Sequence, residues 1–384
     1  LLGFGMEAGG VFRHLHSGFD YASTRFVRTT GRRATVVEQL EVISNCTWAA
    51  VKEETGGFML KKCGFFLSTS LVVLLMVALI YQIKNEYYLD ILFMTFFWAS
   101  LAAAWNISGG YAGQFSLGHA AYVGIGAYST ALLYINFHVS PWIGMVVGGL
   151  FSALLALFIG VITVKVRGTF YTLITIAVAE LLYISAIQLK ELTHGSEGVS
   201  LPFRPGWVNM TFRERETYVV LALLFVVLIY FITKMMERRR IGYYLIAIRE
   251  NEDAARALGV PVKEMKLLAT VLSAFLTAVG GAIYAMYIMF IEPDSVLSFA
   301  FSIQPALMSI IGGLGTSLGP LIGSFVLSPL DMFLRESFSH INGLNLLIYG
   351  FLLVLFVLFW PEGLWPNAVR TYRKWRGGGV ETKS

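Results

Sequence analysis

Apolar runs of membrane length recur along almost the whole chain. A hydrocarbon core about 30 Å thick takes roughly 20 residues of helix. Ten stretches approach that length: 65–83, 88–105, 117–135, 141–163, 169–190, 217–236, 267–290, 299–312, 319–335 and 344–360. The third, eighth and ninth are short or Gly-rich, so broken or re-entrant helices are expected there and full spans number eight to ten. The expected fold is an all-α integral membrane protein, a polytopic helix bundle. One long charged segment, Glu237–Lys266, interrupts it. Within it Ile241, Tyr244, Leu245 and Ile248 share one helical face. Glu252 and Asp253 suit the positive end of a second short helix, Gly259 suits its C-terminal cap and Pro261 its stop. Two short helices with a tight break form a rigid knob, a shape suited to docking a soluble partner.

Composition supports the membrane reading. The chain is 56% hydrophobic and 14% charged, whereas soluble domains are about a quarter charged. The net charge of +5 tracks topology rather than nucleic-acid binding, because the basic residues flank apolar runs. With ten crossings and the N-terminus inside, Lys and Arg number 17 on the inner side against 6 on the outer side. That excess places the knob and both termini in the cytoplasm. Cys46 and Cys63 lie apart and outside the apolar runs, which indicates neither a disulfide framework nor a metal site. Residues 1–58 lack sustained periodicity, while Met59 is followed by Leu60, Lys61, Lys62 and an apolar run. The working chain is therefore expected to start at Met59, with 1–58 disordered or an overextended reading frame. A membrane-spanning domain is expected over 59–366, with the charged segment at 237–266 and a cytoplasmic tail at 367–384.

Several segments carry candidate chemistry. From Asn106 to Tyr128 the chain reads NISGGYAGQFSLGHAAYVGIGAY. Its glycines, Gly110, Gly113 and Gly118 among them, allow close approach or unwinding, and small-residue helix packing accounts for about half of them. Asn106, Gln114, Ser116 and His119 are costly against lipid, so this stretch is expected to line a pathway. No Cys, second His or carboxylate stands at ligand spacing from His119, so no metal is expected there. A second turn, GGLGTSLGPLIGSF from Gly312, repeats the Ser-Leu-Gly of Ser116–Gly118 at Ser317–Gly319. Broken segments recurring in two halves of a transporter point to its binding region. Glu180 sits near the centre of its span and is expected to face the bundle interior, as a pathway residue or as hydrogen-bonded glue. LTHGSEGVSLP from Leu192 is expected to be a structured outer turn. No P-loop and no catalytic triad or carboxylate pair can be picked out, so the chain is read as a non-enzyme without cofactor.

These motifs together resemble the LivM-type permease subunit of bacterial ABC importers for branched-chain amino acids. The resemblance runs through GQFSLGHAAYVGIGAY, RGTFYTLITIAVAELL (Arg167–Leu182), LTHGSEGVSLP, AIRENEDAARALGV (Ala247–Val260), IGGLGTSLGPLIG and FWPEGLW (Phe359–Trp365), in that order. It covers about 65–366 and leaves 1–58 unmatched; Glu252–Asp253 ahead of the Ala pair is a variation on the docking element. The resemblance implies that Glu250, Asp253, Ala254, Ala255 and Gly259 dock on ABC ATPase subunits. It implies a second, LivH-like permease subunit, a periplasmic or lipid-anchored substrate-binding protein, and a bacterial inner-membrane location. A urea or small-amide permease of the same architecture, and an ATP-independent secondary transporter, stay open as alternatives.

Overall fold

A computed structural model describes residues 71–376, except 164, 165, 167, 339 and 342. The described residues from Leu79 onward pack as one compact unit. The predicted start at Met59 and the first part of the 65–83 run lie outside the described residues, and Leu71–Ile80 is a short apolar helix.

The other nine predicted spans are all helices. They are α1 (Glu86–Asn106), α2 (His119–Phe137), α3 (Pro141–Thr163), α4 (Thr169–Gln188), α5 (Arg215–Glu237), α8 (Val262–Ile288), α9 (Ala300–Gly312), α10 (Gly319–Ser337) and α11 (Leu344–Phe359). The knob supplies α6 (Arg240–Glu250) and α7 (Glu252–Ala257), and α12 (Leu364–Arg376) closes the described chain. Among the described residues seven helices are long and apolar enough to cross a membrane: Glu86–Tyr111, Pro141–Thr163, Thr169–Gln188, Arg215–Glu237, Val262–Ile288, Pro293–Gly312 and Leu344–Arg373. The polytopic, all-α expectation holds.

Two groups of helices make the core. In one, α8 packs on α2 and α3, which also pack on each other. In the other, α1 is flanked by α5, α9 and α10. Tight backbone approach explains the first group. A Cβ on Gly126 of α2 would lie 1.9 Å from the Ala278 carbonyl oxygen of α8, and one on Gly281 would lie 2.2 Å from the Val123 carbonyl oxygen of α2. Lipid tails give apolar helices no hydrophobic drive to associate, so close backbone contact and dispersion must hold them. In the second group, α1 buries Phe93, Phe97 and Trp105, and Phe97 stacks on Tyr284 with ring centroids 4.8 Å apart.

One end of the bundle carries the knob. The other carries a polar girdle and the 191–216 loop. There Arg215 bonds Asp90 at 2.5 Å, and Asp90 also accepts from Tyr287. The loop contains single helical turns at Lys190–Thr193 and Gly195–Glu197, and then β1 (Val199–Ser200), which pairs antiparallel with β2 (Phe290–Ile291). The loop is thus structured, with a first helical turn at Leu192 and Thr193 that its glycines did not suggest.

Gly126→Ala should cost about 1–3 kcal/mol by overpacking against Ala278. It is read as a lowered thermal midpoint of the solubilised protein. Gly350→Ala, where an added Cβ meets nothing within 4 Å, should leave the midpoint unchanged.

Candidate functional site

The two Gly-rich stretches meet at the knob end of the bundle, and both leave regular helix there. α1 ends in a single π-helical stretch, Ile107–Tyr111, and residues 113–118 then run without regular structure into α2. The second turn, 313–318, links α9 to α10. Non-helical backbone at this depth survives only with internal partners for its polar groups. The sequence supplies them from several helices. Trp105 Nε1 donates to the Ser116 carbonyl at 2.7 Å, and Thr172 Oγ1 to the Phe115 carbonyl at 2.7 Å. Leu117 N donates to Thr175 Oγ1 at 3.1 Å, and Gln114 N to the Ser108 carbonyl at 2.9 Å.

Across the gap between the turns, Asn106 acts as a clamp. Its Nδ2 donates to the Thr316 carbonyl at 3.0 Å and its Oδ1 accepts from Gly315 N at 2.9 Å. The clamp needs the backbones close: a Cβ on Gly110 would lie 1.8 Å from Asn106 Oδ1 and 2.7 Å from Gly315 N.

A second carboxylate-centred node joins the knob to both turns. Glu237, at the end of α5, accepts from Tyr111 OH at 2.6 Å and from Ser317 N at 3.1 Å on the same oxygen. Its other oxygen pairs with Lys234 Nζ at 2.7 Å. From α6, Arg249 Nη1 donates to the Gly110 carbonyl at 3.1 Å, and its guanidinium also pairs with Glu250 at 2.9 Å. One helix of the knob is therefore hydrogen-bonded to the first turn, and the residue that leads into the knob is bonded to both.

The predicted pathway residues divide on inspection. Asn106, Ser116, Gly118 and His119 are buried, Gln114 is half-buried, and Gly113 is exposed beside the Arg249 side chain. Gln114 accepts from Thr270 Oγ1 of α8 at 3.0 Å. His119 Nε2 lies 2.9 Å from Ser273 Oγ, and Ser273 gives its own hydrogen to the Ala104 carbonyl at 2.7 Å. His119 Nε2 is therefore the donor, which makes the imidazole a tie between α1, α2 and α8. Glu180 requires a correction. Its side chain does not face the interior; it is exposed beside Leu181 and Ile184 on the outward side of α4. The buried residues of that helix are Tyr171, Thr175, Ala179 and Ala186, and one residue beyond Ala179 turns the side chain by about 100°.

In the knob, Asn251 is an N-cap that the sequence reading passed over. Its Oδ1 accepts from Asp253 N at 3.1 Å and Ala254 N at 3.0 Å. The signal was present, since Asn is among the best N-caps. The other end is a Schellman motif: Gly259 N donates to Arg256 O at 3.0 Å, Val260 N to Ala255 O at 3.1 Å, and Gly259 has φ +81. Ala255 is 2% exposed and packs on Ile248 and Val262. Glu250, Asp253, Ala254 and Gly259 remain exposed. Leu258, at 83% exposure, is the apolar tip that no motif singled out.

The arrangement defines a polytopic membrane protein with an exposed knob hydrogen-bonded to two partly buried turns. Residues 87–357 match the family model described as branched-chain amino acid transport system / permease component, and the chain belongs to that family. It is 28% identical to the high-affinity branched-chain amino acid transport system permease protein LivM of Salmonella typhimurium, over 72% of this chain and 69% of the relative. Identity to the Escherichia coli LivM is 27%, with the same coverage. The ribose import permease protein RbsC of Escherichia coli is 29% identical over 29% of this chain and 33% of the relative. No solved structure matches the chain.

Asn106→Ala leaves Gly315 N–H and the Thr316 carbonyl without their shared partner. It should lower stability by about 1–3 kcal/mol, measured by thermal unfolding of the solubilised protein, with Asn106→Gln regaining part of the loss.

Proposed function

We propose that this chain is the membrane-spanning permease subunit of an ABC importer that moves leucine, isoleucine and valine across the bacterial inner membrane. A separate ATPase subunit drives it, and the chain contributes no ATP site. The observation that carries the reading is the bonding of the knob to both Gly-rich turns, through Arg249 to Gly110 and through Glu237 to Tyr111 and Ser317. A loop that only connected spans would have no need of part-buried links to two distant turns. Family membership and the LivM relatives give the substrate class.

The knob lies in the cytoplasm, where the excess of Lys and Arg puts it, together with both termini. Glu250, Asp253, Ala254 and Gly259 meet the ATPase, with Leu258 as the apolar anchor, while Ala255 stiffens the knob from within. ATPase closure then moves α6 and α7 as one body, and the two turns follow through Arg249 and Glu237. The packed helices switch between two arrangements rather than deforming continuously. Asn106, Gly110, Gly113, Gln114, Ser116, Gly118 and His119 shape the inner end of the pathway. Glu180 faces a second, LivH-like permease chain, because a carboxylate on a membrane helix is expensive against lipid. An external binding protein delivers the amino acid at the 191–216 side.

Labelled leucine uptake into vesicles holding this chain and its copurifying subunits should require internal ATP and be indifferent to excess urea. Uptake of urea in place of leucine would replace the substrate, and uptake without ATP would end the ABC reading. Two variants separate docking from transmission. Leu258→Asp should weaken ATPase binding by about tenfold or more, as loss of an interface anchor does. Glu237→Gln should keep the ATPase bound and hydrolysing while leucine uptake per ATP falls; equal losses of both would remove Glu237 from the transmission path.

A further inference from the structure

The segment after the last span, where a cytoplasmic tail is expected from 367, begins as a helix. α12 (Leu364–Arg376) follows α11 after four residues, 360–363, so it starts at the depth where that apolar helix ends. Its residues sort by face. Up to residue 375, Trp365, Ala368, Val369, Tyr372 and Trp375 fall at i, i+3, i+4, i+7 and i+10 on one side, and Asn367, Arg370 and Arg373 on the other, while Arg376 ends the helix at i+11 on the aromatic side. The apolar side is bare toward its C-terminal end, with Tyr372 55% and Trp375 83% exposed. Arg370 pairs with Glu362 at 2.7 Å while its side chain stays 58% exposed, and Arg373 is exposed.

The N-terminal turn is firmly seated. Leu364 packs on the buried cluster of Met308, Ile311 and Leu327. The chain crosses the second Gly-rich turn closely enough that a Cβ on Gly363 would lie 2.5 Å from Gly313 Cα, and one on Gly313 would lie 2.7 Å from Pro366 Cδ. The root of α12 is thus fixed on the bundle, and the free amphipathic length projects from it at the end of a membrane span. A helix with aromatic residues on one face and arginines on the other suits the plane of the headgroups, with rings at the acyl boundary and guanidinium groups against phosphate.

We infer that α12 is an interfacial anchor that binds the anionic lipid surface on the knob side of the membrane. Trp365, Val369, Tyr372 and Trp375 enter the headgroup–acyl boundary, and Arg370 and Arg373 engage lipid phosphate. The inference stands apart from the transported substrate, since it needs only a membrane-spanning bundle.

The test uses the full chain with its copurifying subunits, with Cys46 and Cys63 replaced by Ser and a nitroxide placed at Trp375→Cys or, separately, Arg370→Cys. The assembly is reconstituted in vesicles of phosphatidylcholine and phosphatidylglycerol mixed about three to one, or in phosphatidylcholine alone. At position 375 collisions with dissolved oxygen should exceed those with a water-soluble nickel chelate, and at position 370 the order should reverse. The contrast at 375 should shrink without phosphatidylglycerol, and Arg373→Gln should lower the docking equilibrium roughly fivefold in the mixed vesicles. Equal nickel access at both positions would overturn the anchor. Shielding of position 375 from both reagents would also overturn it, by showing a protein subunit over that face. Docking that ignores both phosphatidylglycerol and Arg373 would overturn the anionic-headgroup assignment.

Discussion

Two lengths of irregular backbone enter the packed knob end of this bundle, and the polar groups they carry in must be bonded internally. Much else follows from that constraint. Asn106 meets it with one side chain by bonding Gly315 N and the Thr316 carbonyl, residues about two hundred positions away. Trp105 of α1 and Thr172 and Thr175 of α4 meet it for the first turn from two helices. Each partner sits on a helix, so the irregular segments are held by regular ones, and movement of a helix must move the turn bonded to it.

Glu237 extends the same logic toward the surface. Its carboxylate collects Tyr111, Ser317 N and Lys234, so a charge close to the interior is met by a cation and two neutral donors. Breaking such a group of contacts at one member leaves the others short of a partner. This makes the node respond as a unit, which suits a lever on the proposed reading. The knob itself is stiff for local reasons: an Asn cap at one end, a Schellman motif at the other, and Ala255 wedged between Ile248 and Val262.

The opposite end is organised differently. Arg215, Asp90 and Tyr287 tie α1, α5 and α8 together, and a two-residue strand pair ties the 191–216 loop to the end of α8. Hydrogen bonds there run between side chains at the rim, between short strands, and from side chains to loop carbonyls, as from Trp142 to Trp207 and from Ser140 to Val208. The two ends thus differ in kind: one rim is braced, and the other holds turns that hang on a few side chains.

Along the chain, the apolar runs alone determined the helical class, and nine of the ten predicted spans appear as helices within a few residues of their expected bounds. Bilayer thickness sets helix length directly, which is why length and hydropathy suffice for that. The knob was legible for a similar reason, since periodicity, acids at a helix start, Gly259 and Pro261 are local signals. Orientation about a helix axis was not local. Glu180 and Ala179 are neighbours in sequence, yet only packing decides which of them faces inward, and it chose Ala179. Nor could sequence show that Asn106 serves Gly315, that Glu237 serves both Tyr111 and Ser317, or that α12 is seated on Gly313. Those pairings join residues far apart in the chain, and only the tertiary structure brings a donor within about 3 Å of its acceptor.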